Sequence, residues 1–214
     1  MALVSFPRLY AILDVENALS RGLTPASVLD AWLSAGVRLV QLRAKSLASG
    51  PLLDLADALA GAARSAGATL IINDRADVAR LSGAAGVHVG QDDLSPEDAR
   101  RIVGASALVG LSTHSRAQAA AAVNRPVDYI AIGPVYRTAS KAQPDPEVGL
   151  DGVASAVEVA RGASVPVVGI GGITLDRARA VIDRGAAAVA VIGDLMTSDP
   201  EARAREFLRV LRES

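Results

Sequence analysis

The chain has 214 residues, a formal net charge of −1 and 50% hydrophobic residues, enough apolar material for one sizeable domain. This near-neutral charge, without a run of lysine and arginine, argues against a protein that binds nucleic acid or membrane surfaces. The absence of cysteine excludes disulfides, thiolate catalysis and cysteine-ligated zinc. No apolar stretch reaches the roughly 20 residues of a membrane span. We therefore expect a soluble, cytoplasmic protein.

Short apolar runs alternate with longer amphipathic stretches along the whole chain. Eight runs are dense in valine, isoleucine and leucine, as expected of parallel strands that are buried on both faces. The predicted strands are Tyr10–Leu13, Leu39–Arg43, Thr69–Asn73, Gly86–Val89, Leu108–Ser112, Tyr129–Gly133, Val165–Gly169 and Ala188–Ile192. Eight strand–helix units without a linker favour a closed α/β TIM barrel, (βα)8, as a single domain over residues 1–214, rather than an open doubly wound sheet.

The helices between the strands have recognisable starts and apolar faces. In three places a polar capping residue is followed by proline at the first helical position, at Thr24-Pro25, Ser95-Pro96 and Asp199-Pro200. The stretch Pro51–Ala66 has leucine and alanine close to helical spacing. Trp32 lies among apolar residues at similar spacing, and we interpret it as a packing residue.

Polar residues follow the second predicted strand, at the end where barrel enzymes build their active sites. Gln41, Arg43 and Lys45 share one strand phase, because alternate residues of a strand point the same way. One amide and two cations facing one direction would suit a multiply charged anion. A solvated strand end is the alternative interpretation.

Carboxylates follow the third and fourth strands. Asn73 and Asp74 end the third strand, and Asp92 and Asp93 follow the fourth. Asp74 and one of the latter pair would form a hard, oxygen-rich site that suits Mg²⁺, with phosphate oxygens and water as further ligands. An ordinary turn or helix cap is the alternative for each of these residues.

The two histidines and the fifth strand offer weaker signals. Ser112 and His114 follow the fifth strand, and His114 is interpreted either as an acid/base group or as a hydrogen-bonding loop residue. His88 alternates with valines in the fourth strand, so we expect it to pack near the barrel lining.

The last three strands lead to loops suited to anions. Tyr136–Val148 is the longest irregular connection, and Thr138, Ser140 and Lys141 within it indicate anion ligands on a closable lid, or a solvated loop. The seventh strand leads to Gly171 and Gly172, and the eighth to Ile192 and Gly193. Loops at these two places often bind phosphate in such barrels, since glycine lets backbone amides approach the ligand.

Taken together, these segments resemble the thiamine phosphate synthase family over nearly the whole chain. The matching segments, in order, are Gln41-Leu42-Arg43-Ala44-Lys45, Ile72-Asn73-Asp74-Arg75, Gly86 to Asp93, Gly110-Leu111-Ser112-Thr113-His114, Gly133 to Tyr136 with Thr138 to Lys141, and Gly169 to Ile173. That family joins hydroxymethylpyrimidine diphosphate to a thiazole phosphate, giving thiamine phosphate and diphosphate. Its reaction is thought to pass through a pyrimidine carbocation that the thiazole nitrogen captures.

The resemblance also implies roles for individual residues. The pyrimidine diphosphate would be held by Gln41, Arg43, Lys45, Asn73 and Lys141. Mg²⁺ would be bound by Asp74 and Asp93, and Ser112 would sit beside the pyrimidine. The thiazole phosphate would be received by Thr138, Ser140, Gly171, Gly172, Ile192 and Gly193. Of these, Arg43, Lys45, Ser112 and Lys141 would take part in catalysis. The chain departs from the family at Gly193, where a serine is usual.

Three alternatives remain at this point. A thiazole tautomerase of the same barrel family would need the phosphate pocket and an acid/base group such as His114, but not Arg43, Lys45, Asp74 and Asp93 together. A phosphosugar isomerase or epimerase would need a base, for which Asp14 is the obvious spare carboxylate. A non-catalytic phosphate-binding module would not need charged groups at so many separate strand ends.

Overall fold

Eight parallel strands close into a barrel in a computed structural model that describes residues 6–138 and 145–212. Each strand pairs with the next in sequence, and the last pairs with the first. The strands are β1 (Leu9–Asp14), β2 (Leu39–Arg43), β3 (Thr69–Asn73), β4 (Gly86–Val89), β5 (Leu108–Thr113), β6 (Tyr129–Ile132), β7 (Val167–Ile170) and β8 (Ala188–Val191). The predicted fold class is confirmed, while the extent of the domain over residues 1–214 stays a prediction.

Helices cover the outside of the barrel. They are α1 (Val15–Ser20), α2 (Pro25–Ala35), α3 (Ser49–Ser65), α4 (Ala76–Leu81), α5 (Pro96–Val103), α6 (Arg116–Ala122), α7 (Gly149–Arg161), α8 (Leu175–Asp183) and α9 (Pro200–Arg212), and a 3₁₀ turn lies at Gly193–Leu195. None of the helices in the described ranges is long and apolar enough to cross a membrane. The cytoplasmic localisation stays a prediction of the sequence.

The three predicted helix starts are confirmed by their capping hydrogen bonds. The Thr24 hydroxyl accepts a hydrogen bond from the Ser27 amide at 3.2 Å, and the Ser95 hydroxyl accepts one from the Asp98 amide at 3.1 Å. The Asp199 carboxylate accepts one from the Ala202 amide at 2.9 Å. Each cap satisfies an amide that has no partner inside its own helix.

One strand begins later than its apolar run predicted. The seventh run starts at Val165, but β7 begins at Val167. Pro166 has no amide hydrogen to donate to the sheet, so regular pairing starts only after it. The other predicted strands differ from the structure by at most one residue at either end.

The hydrophobic core has two parts, one between the sheet and the helices and one inside the barrel. Trp32 is fully buried in the outer part, as expected of a packing residue. The inner part is mostly aliphatic, yet Tyr10 and Tyr129 are buried there with aliphatic neighbours such as Ile12 and Ile71. Buried tyrosine hydroxyls need hydrogen-bond partners, so polar side chains must also reach the barrel interior.

Candidate active site

A cavity of about 790 Å³ opens at the carboxyl ends of the strands. Its wall brings together nearly all of the site residues chosen from the sequence, namely Gln41, Arg43, Lys45, Asn73, Asp74, Asp93, Ser112, Thr138, Gly171, Gly172, Ile192 and Gly193. The remaining two, Ser140 and Lys141, lie outside the described residues. Barrel topology explains the convergence, since parallel strands deliver all their carboxyl ends to one face.

The two cations that follow β2 are each paired with a carboxylate from a neighbouring strand. The guanidinium of Arg43 forms an ion pair with Asp14 at the end of β1. Lys45 Nζ lies 3.3 Å from Asp74 Oδ2 at the end of β3. These ion pairs hold the two positive groups at the cavity wall, which reduces the reorganisation needed to meet an anion.

Asp74 and Asp93 form a close pair of carboxylates. Asp74 has a left-handed backbone with φ of 62°, a conformation that costs energy for most residues but that aspartate tolerates better than most. Burial raises the pKa of Asp74, and the hydrogen bond and charge of Asp93 raise it further, while Lys45 acts in the opposite direction. Asp93 Oδ2 accepts a hydrogen bond from the Gly90 amide at 2.7 Å, which fixes its position.

The donor set at this pair fits a hard cation that takes most of its ligands from elsewhere. Two partly screened carboxylates of like charge are costly to hold together, and a divalent cation would relieve that cost. Within residues 6–138 and 145–212, no group of three or more acidic, histidine or cysteine side chains is arranged to hold a metal ion. Magnesium commonly uses one or two carboxylates together with phosphate oxygens and water.

A row of hydrogen-bonded side chains crosses the barrel interior at the floor of the cavity. Gln41 Nε2 donates to the Tyr10 hydroxyl at 2.8 Å, and the Tyr10 and Tyr129 hydroxyls are 2.8 Å apart. His88 Nδ1 lies 3.0 Å from the Tyr129 hydroxyl, and His88 Nε2 lies 2.9 Å from Ser112 Oγ. His88 is buried at the barrel lining, as expected. Neither tyrosine was predicted from the sequence to be a site residue, although a tyrosine inside an aliphatic strand is a usable signal.

His114 lies at the cavity wall and is held by the backbone. Its Nδ1 donates to the Gly133 carbonyl at 2.6 Å, and the carboxylate of Asp145 lies 3.5 Å from the same nitrogen. Its own amide donates to Gln118 Oε1 at 2.6 Å. This arrangement favours the hydrogen-bonding interpretation of His114 over a free acid/base group.

The glycines after β7 are required by the close approach of the loop after β6. Gly171 and Gly172 have left-handed backbones with φ of 98° and 62°. A Cβ at Gly171 would lie 2.6 Å from Pro134 Cα, and a Cβ at Gly172 would lie 2.4 Å from the Arg137 carbonyl oxygen. Gly193 is different, since no described heavy atom lies within 4 Å of a Cβ placed there. A serine would fit at that position.

Arg177, in the first turn of α8, is a further cation at the cavity, and it was not predicted from the sequence. Its guanidinium lies 4.9 Å from the centre of the Tyr136 ring, a cation–π contact. Arg177 Nη1 also donates to the Gly172 carbonyl at 3.2 Å, so the side chain is held beside the glycine loop. A single arginine in an exposed helical turn is too ordinary in sequence to mark a site.

Comparisons with known proteins point in one direction. The family model described as "Thiamine monophosphate synthase" matches residues 9–195. The thiamine-phosphate synthase of Koribacter versatilis is 46% identical over 213 residues, which cover 97% of each chain. That of Roseiflexus sp. is 40% identical over 203 residues, covering 94% of this chain and 84% of the relative. The solved thiamine phosphate pyrophosphorylase from Pyrococcus furiosus has a TM-score of 0.85 at 28% identity, covering 97% of this chain and 96% of its own.

Proposed function

The chain belongs to the thiamine monophosphate synthase family and is a thiamine-phosphate synthase, and we propose that its cavity joins hydroxymethylpyrimidine diphosphate to a thiazole phosphate. The observation that carries this proposal is the single cavity that gathers cations, a carboxylate pair and phosphate-type glycine loops. The comparisons give no support to the tautomerase alternative. Asp14, the spare base of an isomerase, is taken up by its ion pair with Arg43.

On the diphosphate side, the proposed ligands are Arg43, Lys45, Asn73 and Lys141. Arg43 can offer a planar fork of donors and Lys45 a point charge, and both groups are already oriented by their carboxylate partners. Preorganised positive charge stabilises the negative charge that develops as diphosphate leaves. Departure of the diphosphate needs no strong base, which agrees with the backbone-bound state of His114.

The metal part of the proposal concerns Asp74 and Asp93, which would hold Mg²⁺. When bound, Mg²⁺ would supply charge neutralisation for the leaving diphosphate. The two residues contribute a fixed pair of oxygens from adjacent strand ends, and Asp93 is oriented by the Gly90 amide. Lys45 lies against Asp74 and links this pair to the cations that follow β2.

On the thiazole side, the phosphate would be received by Thr138, Ser140, Gly171, Gly172, Ile192 and Gly193. We add Arg177 to this set, because its guanidinium is held beside Gly172 at the cavity wall. It would supply a charged donor where the chain has Gly193 in place of the serine that is usual in the family. Ser112, at the end of β5, would sit beside the pyrimidine.

The proposal is tested by incubating the purified protein with hydroxymethylpyrimidine diphosphate, thiazole phosphate and Mg²⁺ and measuring thiamine phosphate by chromatography. We expect product only when all three are present, with release of one diphosphate per thiamine phosphate. In a parallel reaction the protein is given the non-aromatic thiazole precursor alone. Isomerisation of that precursor, without thiamine phosphate in the main reaction, would support the tautomerase instead.

A further inference from the structure

The interior row links two groups at the cavity wall through three buried side chains. It runs from Gln41 on β2 through Tyr10 on β1, Tyr129 on β6 and His88 on β4 to Ser112 on β5. Burial raises the pKa of both tyrosines well above the ordinary value, so each hydroxyl keeps its proton. Each tyrosine therefore has one proton to donate and can accept in return.

With the Gln41 amide nitrogen facing Tyr10, the number of protons along the row sets the direction of every later hydrogen bond. The Gln41 amide nitrogen can only donate, so the Tyr10 hydroxyl accepts there and gives its own proton to Tyr129. Tyr129 then donates to His88 Nδ1, which leaves the imidazole proton on Nε2. His88 Nε2 donates to Ser112 Oγ, and the proton of the Ser112 hydroxyl is left to point into the cavity.

The hydrogen-bonding role of Gln41 toward a ligand therefore determines that of Ser112. With its nitrogen on Tyr10, Gln41 keeps its amide oxygen as an acceptor, while Ser112 is a donor. If the Gln41 amide were inverted, Tyr10 would donate to its oxygen and every later bond would reverse. Ser112 would then donate to His88 and offer only lone pairs to the cavity. An acceptor at one end thus accompanies a donor at the other.

The backbone of β5 makes room for the central bond of the row. A Cβ at Gly110 would lie 2.4 Å from the Tyr129 hydroxyl and 2.5 Å from His88 Nδ1. The His88 and Tyr129 rings also stack, with centroids 5.5 Å apart and planes inclined by 27°. The contact between these two side chains therefore requires a glycine at position 110.

We propose that Tyr10, Tyr129 and His88 are positioning residues that lock Gln41 as a hydrogen-bond acceptor and Ser112 as a hydrogen-bond donor for one ligand. The matching ligand carries a hydrogen-bond donor and an acceptor on the same heteroaromatic system, as an aminopyrimidine does. The proposal deepens the proposed function and rests on it, because it takes the pyrimidine to lie at this part of the cavity. None of the three residues needs to touch the substrate, since they act through Gln41 and Ser112.

The first test uses the ligand-free protein and does not depend on activity. Nitrogen-15 NMR of the histidine rings should show His88 neutral, with the proton on Nε2. His114 is the internal comparison, since its Nδ1 donates to a carbonyl. In Tyr129→Phe, the single Nε2-protonated form of His88 should be lost. A His88 protonated on Nδ1, or one unchanged in Tyr129→Phe, would overturn the proposal.

The second test separates positioning from a loss of stability. Tyr129→Phe should raise KM for hydroxymethylpyrimidine diphosphate by about tenfold, the size of one lost hydrogen bond, and leave KM for thiazole phosphate within about twofold. Ser82→Ala is the matched control, because it removes a buried hydroxyl just after α4, bonded to the Val78 carbonyl, away from the cavity. It should leave both KM values unchanged.

The outcomes distinguish this proposal from the function on which it rests. If the wild-type protein forms thiamine phosphate but Tyr129→Phe changes both KM values equally or neither, the row has no positioning role. If the wild-type protein forms no thiamine phosphate, the proposed function is wrong, and the NMR result still decides whether the row has the direction inferred here.

Discussion

At the scale of single residues, two neighbouring aspartates have different surroundings. Both side chains are exposed at the cavity wall. The Asp93 carboxylate is fixed by the Gly90 amide and interacts with Asp74, whereas no hydrogen bond or ion pair within the described residues holds the Asp92 side chain. A metal ligand must hold its geometry closely when the ion is Mg²⁺, which tolerates little distortion of its octahedron. Asp93 meets that requirement and Asp92 does not.

We therefore predict that Asp93→Asn strongly raises the Mg²⁺ concentration needed for half-maximal rate and lowers kcat at saturating Mg²⁺. Asparagine keeps an oxygen that can accept the Gly90 amide, so the loop should stay in place. Asp92→Asn, the matched control, should do much less, because it removes only screened charge. A Mg²⁺ titration of initial rates checks both. If Asp92→Asn is the damaging change, the ligand has been placed one residue too late in the chain.

The second prediction at this scale concerns Arg177. If this guanidinium holds the thiazole phosphate, Arg177→Ala should raise KM for thiazole phosphate by about tenfold to a hundredfold, the range of a hydrogen bond to a charged group. KM for the pyrimidine diphosphate should stay the same. Arg179→Ala is the control, since that side chain pairs with Asp183 further along the same helix. Equal effects of the two substitutions would rule out a specific role.

Gly193→Ser provides a complementary measurement on the same phosphate. A side chain at this position enters open space, so the serine hydroxyl should restore part of the thiazole phosphate affinity lost in Arg177→Ala. If Gly193→Ser does not restore affinity, the phosphate lies away from Gly193.

Strand-end residues such as Arg43 and Asp74 could be selected from the sequence because barrel topology fixes where strands end. The role of Asp14 as the partner of Arg43 could not, because the pairing depends on the register of β1 with β2, where Asp14 lies opposite Arg43. The tyrosine row was hidden for a related reason. Tyr10 and Tyr129 meet only across the closed interior, and no local pattern encodes that contact.

At the scale of secondary-structure elements, Asp194 connects the turn after β8 to helices α8 and α9. Its Oδ2 accepts a hydrogen bond from the Leu175 amide at the start of α8, at 2.8 Å. Both carboxylate oxygens accept from Arg203 Nη2 on α9, at 2.8 and 2.7 Å. Asp194 itself belongs to the 3₁₀ turn after β8. The loops after β7 and β8 are therefore held in one arrangement.

We expect Asp194→Ala to lower the free energy of unfolding by about 1.5–3 kcal/mol, as for the loss of hydrogen bonds to a charged group. We also expect a higher KM for thiazole phosphate, because the loops after β7 and β8 would no longer be held together by Asp194. Asp183→Ala breaks an exposed ion pair on α8 and should change stability by less than about 0.5 kcal/mol. Denaturant unfolding of the wild-type protein and the two variants measures the free energy of unfolding. Similar values for both variants would contradict a stabilising role of Asp194.

The elements themselves were largely predictable, since buried parallel strands are short aliphatic runs and proline marks helix starts. The exception at β7 shows the limit of that reasoning. Val165 and Pro166 extend the apolar run, but hydropathy does not register that proline lacks an amide hydrogen. The loop from Tyr136 to Val148 could be located from the sequence, but the ligand roles of Ser140 and Lys141 within it stay predictions, since both lie outside the described residues.

At the scale of the whole molecule, the charged carboxylate pair that the proposed function needs lowers the free energy of unfolding. The raised pKa of Asp74 means that its charged form is less favourable in the folded state than in the unfolded chain. Stability from this group is present at low pH and is lost as the pH rises through the folded pKa. At neutral pH the carboxylate therefore costs stability in the absence of a cation.

Asp74→Asn should make the metal-free protein more stable and the enzyme inactive. Asparagine removes the repulsion with Asp93 and tolerates the left-handed backbone at this position. We expect Tm to rise by a few degrees, at about 2–4 °C per kcal/mol for a chain of this size. Mg²⁺ should raise Tm of the wild-type protein by mass action but not that of the variant. Calorimetry with and without Mg²⁺ checks both points, and a lower Tm for the metal-free variant would contradict the argument.

The seam where β8 pairs with β1 has a consequence for how the protein is made. Leu9 pairs with Val189, so one edge of the first strand has its partner about 180 residues later in the chain. During translation β1 emerges early with one edge open, and the cavity lacks its glycine turn at Gly193 until β8 arrives. Unpaired strand edges invite association with other chains. The open edge of β1 is therefore exposed to association with other chains until β8 has been made, and the cavity is complete only then.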